Sequence, residues 1–167
     1  MVVRLGGAIC AAAIIFAYSS SSVSSIGIQK QITTTPVASG PSIVGVASAY
    51  NPFRKDALSG GTETASGEPY DPTKWTAAIR IDLRERFGGV HFGKDYRPAY
   101  ALVVHGKKQA IIKINDVGPL EPGRIIDLNE QVMRYFDPTL ELGLIRLIKV
   151  TPLLGDDWPA GPIANDI

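Results

Sequence analysis

From residue 42 to residue 154 the chain repeats one pattern: a short apolar run, a turn, another short apolar run. Residues 43–50 (IVGVASAY) are apolar or small, and residues 75–81 form a second run. Residues 100–104 (YALVV) and 110–114 (AIIKI) flank His105-Gly106-Lys107-Lys108, where Gly106 suits the positive φ of a tight hairpin turn. Residues 124–128 (RIIDL) and 144–151 (LIRLIKVT) complete the set. Runs this short, rich in β-branched residues and bounded by Gly, Pro, Asn or Asp, predict strands. One helix is predicted over 129–136. Asn129 is a good N-cap, Val132, Met133 and Phe136 share a face, and Asp137-Pro138 stops it. Six short strands and one brief helix, without repeat or βαβ rhythm, predict an all-β fold closed into a small barrel.

The flanks read differently. Arg4 precedes an uncharged, largely apolar run over 5–18, and Ser19 to Ser22 follow it. That is the order of a secretory signal, assigned to residues 1–22. The run is shorter than the roughly 20 residues a spanning helix needs, so no stable membrane anchor is expected. The expected location is exported, in the periplasm or cell envelope. Cys10 sits in mid-run behind the bulky Ile9, which argues against lipid attachment. Residues 23–41, rich in Ser and Thr, read as a flexible linker. Residues 155–167 hold two prolines, two glycines and three aspartates with no Lys or Arg, and read as a loose tail. Residues 42–154 are the expected folded domain. Within it, residues 80–97 (RIDLRERFGGVHFGKDYR) read as a solvated insertion or short helix, or else as a substrate-facing lobe.

Charge narrows the function classes. Seventeen Lys and Arg against sixteen Asp and Glu leave a net charge of +1, so no clustered basic face for nucleic acid is implied. A single cysteine excludes an intrachain disulfide, and His91 and His105 are too few for a zinc centre. No cofactor or metal is expected, and a monomer is.

Candidate chemistry centres on residues 112–128 (IKINDVGPLEPGRIIDL). Asp116 stands at a strand end and the mouth of a Gly-Pro loop, and Thr64-Ala65-Ser66-Gly67-Glu68 offers a second carboxylate from another turn. Two such carboxylates are the minimum for acid/base work on a sugar bond. Each has a plainer reading. Asp116 could cap an Asx-turn, Glu68 could be a solvated loop residue, and Asp127 could bond local amides. Arg124 could grip a substrate carboxylate or pair with Asp127 or Glu121. Tyr50, Tyr70 and Trp75 could stack on sugar rings or fill the core.

These motifs, in this order, resemble the rare lipoprotein A (RlpA) family. Gly45 to Tyr50 is similar to its opening strand, and Thr64 to Glu68 to its T-A-x-G-E loop, with Tyr70-Asp71 in place of Phe-Asp. Thr76-Ala77-Ala78, Lys113 to Pro119 and Arg124 to Leu128 match its later segments, so the likeness covers residues 45–150. The resemblance implies a double-psi β-barrel and lytic transglycosylase activity on peptidoglycan glycan strands, with division-site envelope proteins as further partners. It implies Asp116 and Glu68 as the catalytic carboxylates. Tyr50, Thr64, Asn115, Arg124 and Asp127 are the substrate-binding candidates beside them. If Asp116 and Glu68 face each other, mutual repulsion is expected to raise the pKa of one. Two positions depart from the family pattern: Ile79 stands where it has His, and Val117 where it has Arg. Those departures leave a second reading, a non-catalytic glycan-binding or wall-loosening module similar to expansins, and a third, an envelope scaffold.

Overall fold

A computed structural model of the chain describes residues 35–51, 62–87, 99–141 and 143–164. The expected signal at 1–22, most of the linker, His91 and residues 88–97 of the charged stretch lie outside the described residues. Among the described residues seven strands form: β1 (Ile43–Tyr50), β2 (Thr76–Ile79), β3 (Ala99–His105), β4 (Lys108–Val117), β5 (Arg124–Asn129), β6 (Leu144–Pro152) and β7 (Gly161–Pro162). One α-helix, α1 (Glu130–Phe136), follows β5 directly.

The sheet runs β2-β5-β1-β6-β3-β4, and β2 pairs again with β4, which closes six strands into a barrel. Closure removes the exposed edges that an open sheet leaves. Two pairings are parallel, β1 with β5 and β2 with β4, and the rest are antiparallel. β3 and β4 meet as a hairpin with His105 opposite Lys108 and Gly106 at φ 57°. A positive φ at the first of two turn residues is what glycine supplies without strain.

The barrel interior is small and filled. Ala47, Ile79, Ala101, Val103, Ile112, Ile114, Ile126, Leu128, Ile148 and Val150 are all fully buried. Small residues alternate with branched ones, which lets the layers interdigitate in a narrow barrel. Gly45 belongs to this packing: a Cβ there would lie 2.6 Å from Ile125 Cγ2. Helix α1 seals one end through Val132, Met133 and Phe136. Its N-cap is Asn129, whose side chain accepts from Gln131 N–H.

Two expectations change, and the charged stretch takes its short-helix reading: Ile81–Phe87 forms a 3₁₀ helix that buries both Leu83 and Phe87 in the core. Its charged residues hide an apolar pair at wider spacing than a strand signal. The expected tail is pinned, because β7 pairs with Ala110 and Ile111 of β4 and Ile163 N–H bonds the Gln109 carbonyl. The end of the expected linker is pinned too. Ser39 N–H donates to the Pro152 carbonyl, and Leu154 N–H to the Val37 carbonyl. Backbone pairing of this kind needs no hydrophobic pattern, so composition does not reveal it.

Candidate active site

Strand β4 carries the site, and an irregularity in its register aims it. Ala110, Ile112 and Ile114 alternate into the core. Strict alternation would send the Asp116 carboxylate in after them, at a cost of several kcal/mol or more. The register prevents this. Ala77 of β2 pairs with Ile114, but the next residue, Ala78, pairs with Asp116, so Asn115 is the extra residue of a bulge. A bulge re-aims the residues beyond it. Asp116 turns to the face opposite the core, and Val117 packs against the core instead.

On that face the register lines up a row across four strands. Asp116 of β4 pairs with Ala78 of β2, Ala78 with Asp127 of β5, and Asp127 with Ser48 of β1. Ser48 Oγ–H donates a hydrogen bond to Asp127 Oδ1. Gly118 lies over this row, where a Cβ would come within 3.2 Å of Asp127 Oδ2 and 3.6 Å of Ala78 Cβ.

The second turn docks on the bulge. Within it Thr64 N–H donates to the Glu68 carbonyl at 2.9 Å and Gly67 N–H to the Thr64 carbonyl at 2.8 Å. Gly67 has φ 82°, a conformation suited to glycine. Ser66 N–H donates to the Asn115 carbonyl at 3.1 Å, and Ala65 N–H to Asp116 Oδ1 at 2.8 Å. The two candidate carboxylates are therefore held at one joint. Glu68 accepts from Lys113 Nζ at 2.5 Å and from Asn115 Nδ2 at 3.2 Å. Asp116 Oδ1 also accepts from Val117 N–H at 2.8 Å.

These surroundings separate the two acids. Burial pushes the Asp116 carboxyl above its ordinary value, against the opposing pull of Ala65, Val117 and Tyr50. Partial burial pushes Glu68 up as well, but the hydrogen bonds from Lys113 and Asn115 and the Lys113 charge outweigh it, so Glu68 ends below its ordinary value. The separation does not come from mutual repulsion, as the sequence led us to expect; burial on one side and a lysine on the other produce it. A pair pushed apart in this way has one member suited to hold a proton and one suited to stay charged.

The other candidates fall in distinct places. Tyr50 is half-buried at the end of β1, next to the Asp116 carboxylate. Thr64 is buried, and its hydroxyl is used inside the turn, on Ser66 Oγ and the Glu68 carbonyl. Asn115 is buried and holds Glu68. Arg124 opens β5, away from the joint along the strand, and its carbonyl accepts from Arg80 Nη1. Tyr70 is buried, and Trp75 packs edge-on against Tyr135, so both serve packing. Lys113 and Ser48 were not singled out from the sequence. Lys113 had a signal, a lone cation in the apolar run AIIKI, but its partner on another turn was not legible. Among the described residues no group of three His, Cys, Asp or Glu side chains is placed to hold a metal.

Comparison with known proteins gives the family. Residues 42–147 match a family described as lytic transglycolase. The chain belongs to this family. It is 32% identical over 122 residues to the endolytic peptidoglycan transglycosylase RlpA of Pasteurella multocida, covering 71% of this chain and 33% of that protein. Against RlpA of Yersinia pestis it is 34% identical over 89 residues, covering 52% of this chain and 19% of that protein. The matched region thus spans a third or less of these relatives. Among solved structures, a Streptomyces papain inhibitor superposes with a TM-score of 0.52 at 18% identity, covering 69% of this chain and 96% of that one. That likeness concerns the fold alone. The domain is an RlpA-like double-psi β-barrel, with its two parallel strand pairs inside a closed six-stranded barrel. Within this family frame the two departures have plain surroundings. Ile79 is fully buried between Val117 and Ile126 in register, and Val117 packs on the same core, so the site gains no polar group from either.

Proposed function

We propose that this domain cleaves peptidoglycan glycan strands as a lytic transglycosylase, with Asp116 as acid and base and Glu68 as the charged partner. The observation that carries the reading is the strand–turn joint itself, where the turn's Ala65 N–H bonds the half-buried Asp116 carboxylate and Lys113 and Asn115 of β4 hold the turn's Glu68. Two relatives named endolytic peptidoglycan transglycosylase support the substrate class.

In this mechanism Asp116 gives its proton to the glycosidic oxygen as the bond to the muramyl C1 breaks. The anionic Glu68, steadied by Lys113 and Asn115, favours the oxocarbenium-like transition state. Asp116, now a carboxylate, takes the proton from the muramyl 6-hydroxyl as that oxygen closes on C1. The product carries a 1,6-anhydro end, and no water enters the bond. Asp127, bonded to Ser48 on the same face, is proposed to bind substrate or to support the wall of the site, and Tyr50, Thr64 and Asn115 to frame it, with Arg124 farther along β5 meeting substrate beyond the joint. Residues 1–22 would direct the protein to the envelope, where its substrate lies.

The test is digestion of purified sacculi, both intact and stripped of stem peptides, followed by mass spectrometry. The reading expects 1,6-anhydro-muramyl products from at least one. Their absence from both would contradict it, and sacculus binding that survives without product would favour a wall-loosening module.

A further inference from the structure

The outer face that carries the Ser48–Asp127 pair continues along the barrel. Gly45 and Ala47 turn into the core, so Val44, Val46 and Ser48 share the outer face of β1. Val46 and Val44 stand about 7 and 14 Å before Ser48 along the strand. In register, Val46 lies opposite Arg124 of β5, and Val44 lies opposite Lys149 of β6. Strand β6 is irregular at the same level. Gly45 pairs with Ile148 and Ala47 with Ile145, so Arg146 and Leu147 together oppose Val46. Ile145 and Ile148 are buried, and the extra residue of this bulge lets Arg146 and Leu147 both stay exposed. Leu147 takes φ 57° to do so, a left-handed conformation that suits glycine and not a branched side chain. Leu147 is 78% exposed and Val44 59% exposed. A fold that needed only the bulge would be better served by glycine. Here a strained backbone holds an apolar side chain out in water, and strain of this kind points to a use.

Charge completes the strip. Arg124, Arg146 and Lys149 border Val44, Val46 and Leu147, and among the described residues none of the three cations is ion-paired. We propose that this strip binds the stem peptide of a glycan strand seated on the Asp116–Ala78–Asp127–Ser48 row. The inference rests on the proposed glycan substrate and adds a second point of contact to it. A stem peptide is a short chain of small apolar side chains with several free carboxylates. Its methyl groups suit Val44, Val46 and Leu147, and its carboxylates suit the three cations. The occupant follows from where the strip lies. Its face runs on into the Ser48–Asp127 row, so a bilayer or a protein seated there would cover the site. A branch of the bound polymer meets strip and row together and leaves the site open.

The experiment is co-sedimentation of the full chain with intact sacculi and with sacculi stripped of stem peptides by an amidase, across a range of salt. Asp116→Asn is the parent protein, so that digestion does not alter the pellet. The expected result is binding about tenfold tighter to intact sacculi, with the difference shrinking as salt rises. Added to that parent, Leu147→Gly should reduce the preference about fivefold, and so should Arg146→Gln with Lys149→Gln. Leu147→Gly relieves the strained φ, so its Tm should stay at or above that of the parent, and a loss of binding is then not a loss of fold. Equal binding to the two kinds of sacculi overturns the inference. A preference for intact sacculi that survives in both variants also overturns it. Binding to anionic phospholipid vesicles that Leu147→Gly abolishes, with no preference among sacculi, overturns it in favour of a lipid surface. A stem-peptide preference in a protein whose wild type yields no anhydro product upholds the strip and rejects the catalytic reading. Anhydro product without the preference does the reverse.

Discussion

Asp116 is costly to the fold and useful to the proposed chemistry, and the two effects can be separated. Its pKa is raised in the folded state, so the native protein holds that proton more tightly than the unfolded chain does. Its contribution to stability is present below the ordinary carboxylate range and is lost as pH rises through the raised value. Asp116→Asn keeps an oxygen acceptor for Ala65 and Val117 but cannot charge. It should match the wild type in Tm at acid pH and exceed it at alkaline pH, while turnover falls about 10²- to 10⁴-fold. Thermal melts across pH check the first half and product yield the second. Glu68 has the opposite sign. Its lowered pKa adds stability above the ordinary carboxylate range, which disappears as pH falls through the lowered value. The side chain is 44% exposed, so solvent screening keeps the effect small. Glu68→Gln should cost less than about 1 kcal/mol at neutral pH, and the difference from wild type should close in acid.

Strands explain what was legible and what was not. Alternation in residues 110–114 and 144–151 located β4 and β6, and Asn129 with Asp137-Pro138 bounded α1, because burial and capping act within a few residues. The bulge at Asn115 also had a signal, a carboxylate in the buried phase of an apolar strand. What it could not reveal was the turn that meets it, since Ala65 and Asp116 lie 51 positions apart. The pinned ends escaped for the same reason, as did the burial of Phe87. Two substitutions test the element-level packing. Gly45→Ala would place a methyl 2.6 Å from Ile125 and should destabilise by about 1–3 kcal/mol through overpacking. Phe87→Ala should cost about 3–5 kcal/mol, which would confirm that the 3₁₀ helix belongs to the core. Denaturant unfolding with unchanged m-values would measure both.

The barrel as a whole serves as a rigid frame for one joint. Closure through the β2–β4 pairing puts Ala78 next to Asp116, and the same β2 strand pairs Ala78 with Asp127. The carboxylate row is thus a product of the closed topology and not of any one motif. β7 completes the frame by covering part of β4. Removing residues 159–167 should expose the backbone of Ala110 and Ile111, lower Tm and promote self-association, read by size-exclusion chromatography. Of the five motifs that carried the family resemblance, four fall on barrel strands β1, β2, β4 and β5 and the fifth is the turn that docks on β4, which explains why the fold was readable from them. The chemistry is less fully written there, because the joint depends on contacts between distant turns. Its most direct test is the sacculus digest with wild-type protein and Asp116→Asn side by side. The account predicts 1,6-anhydro-muramyl products from the wild type and almost none from the variant, with both proteins equally folded. Equal yields from the two would contradict it.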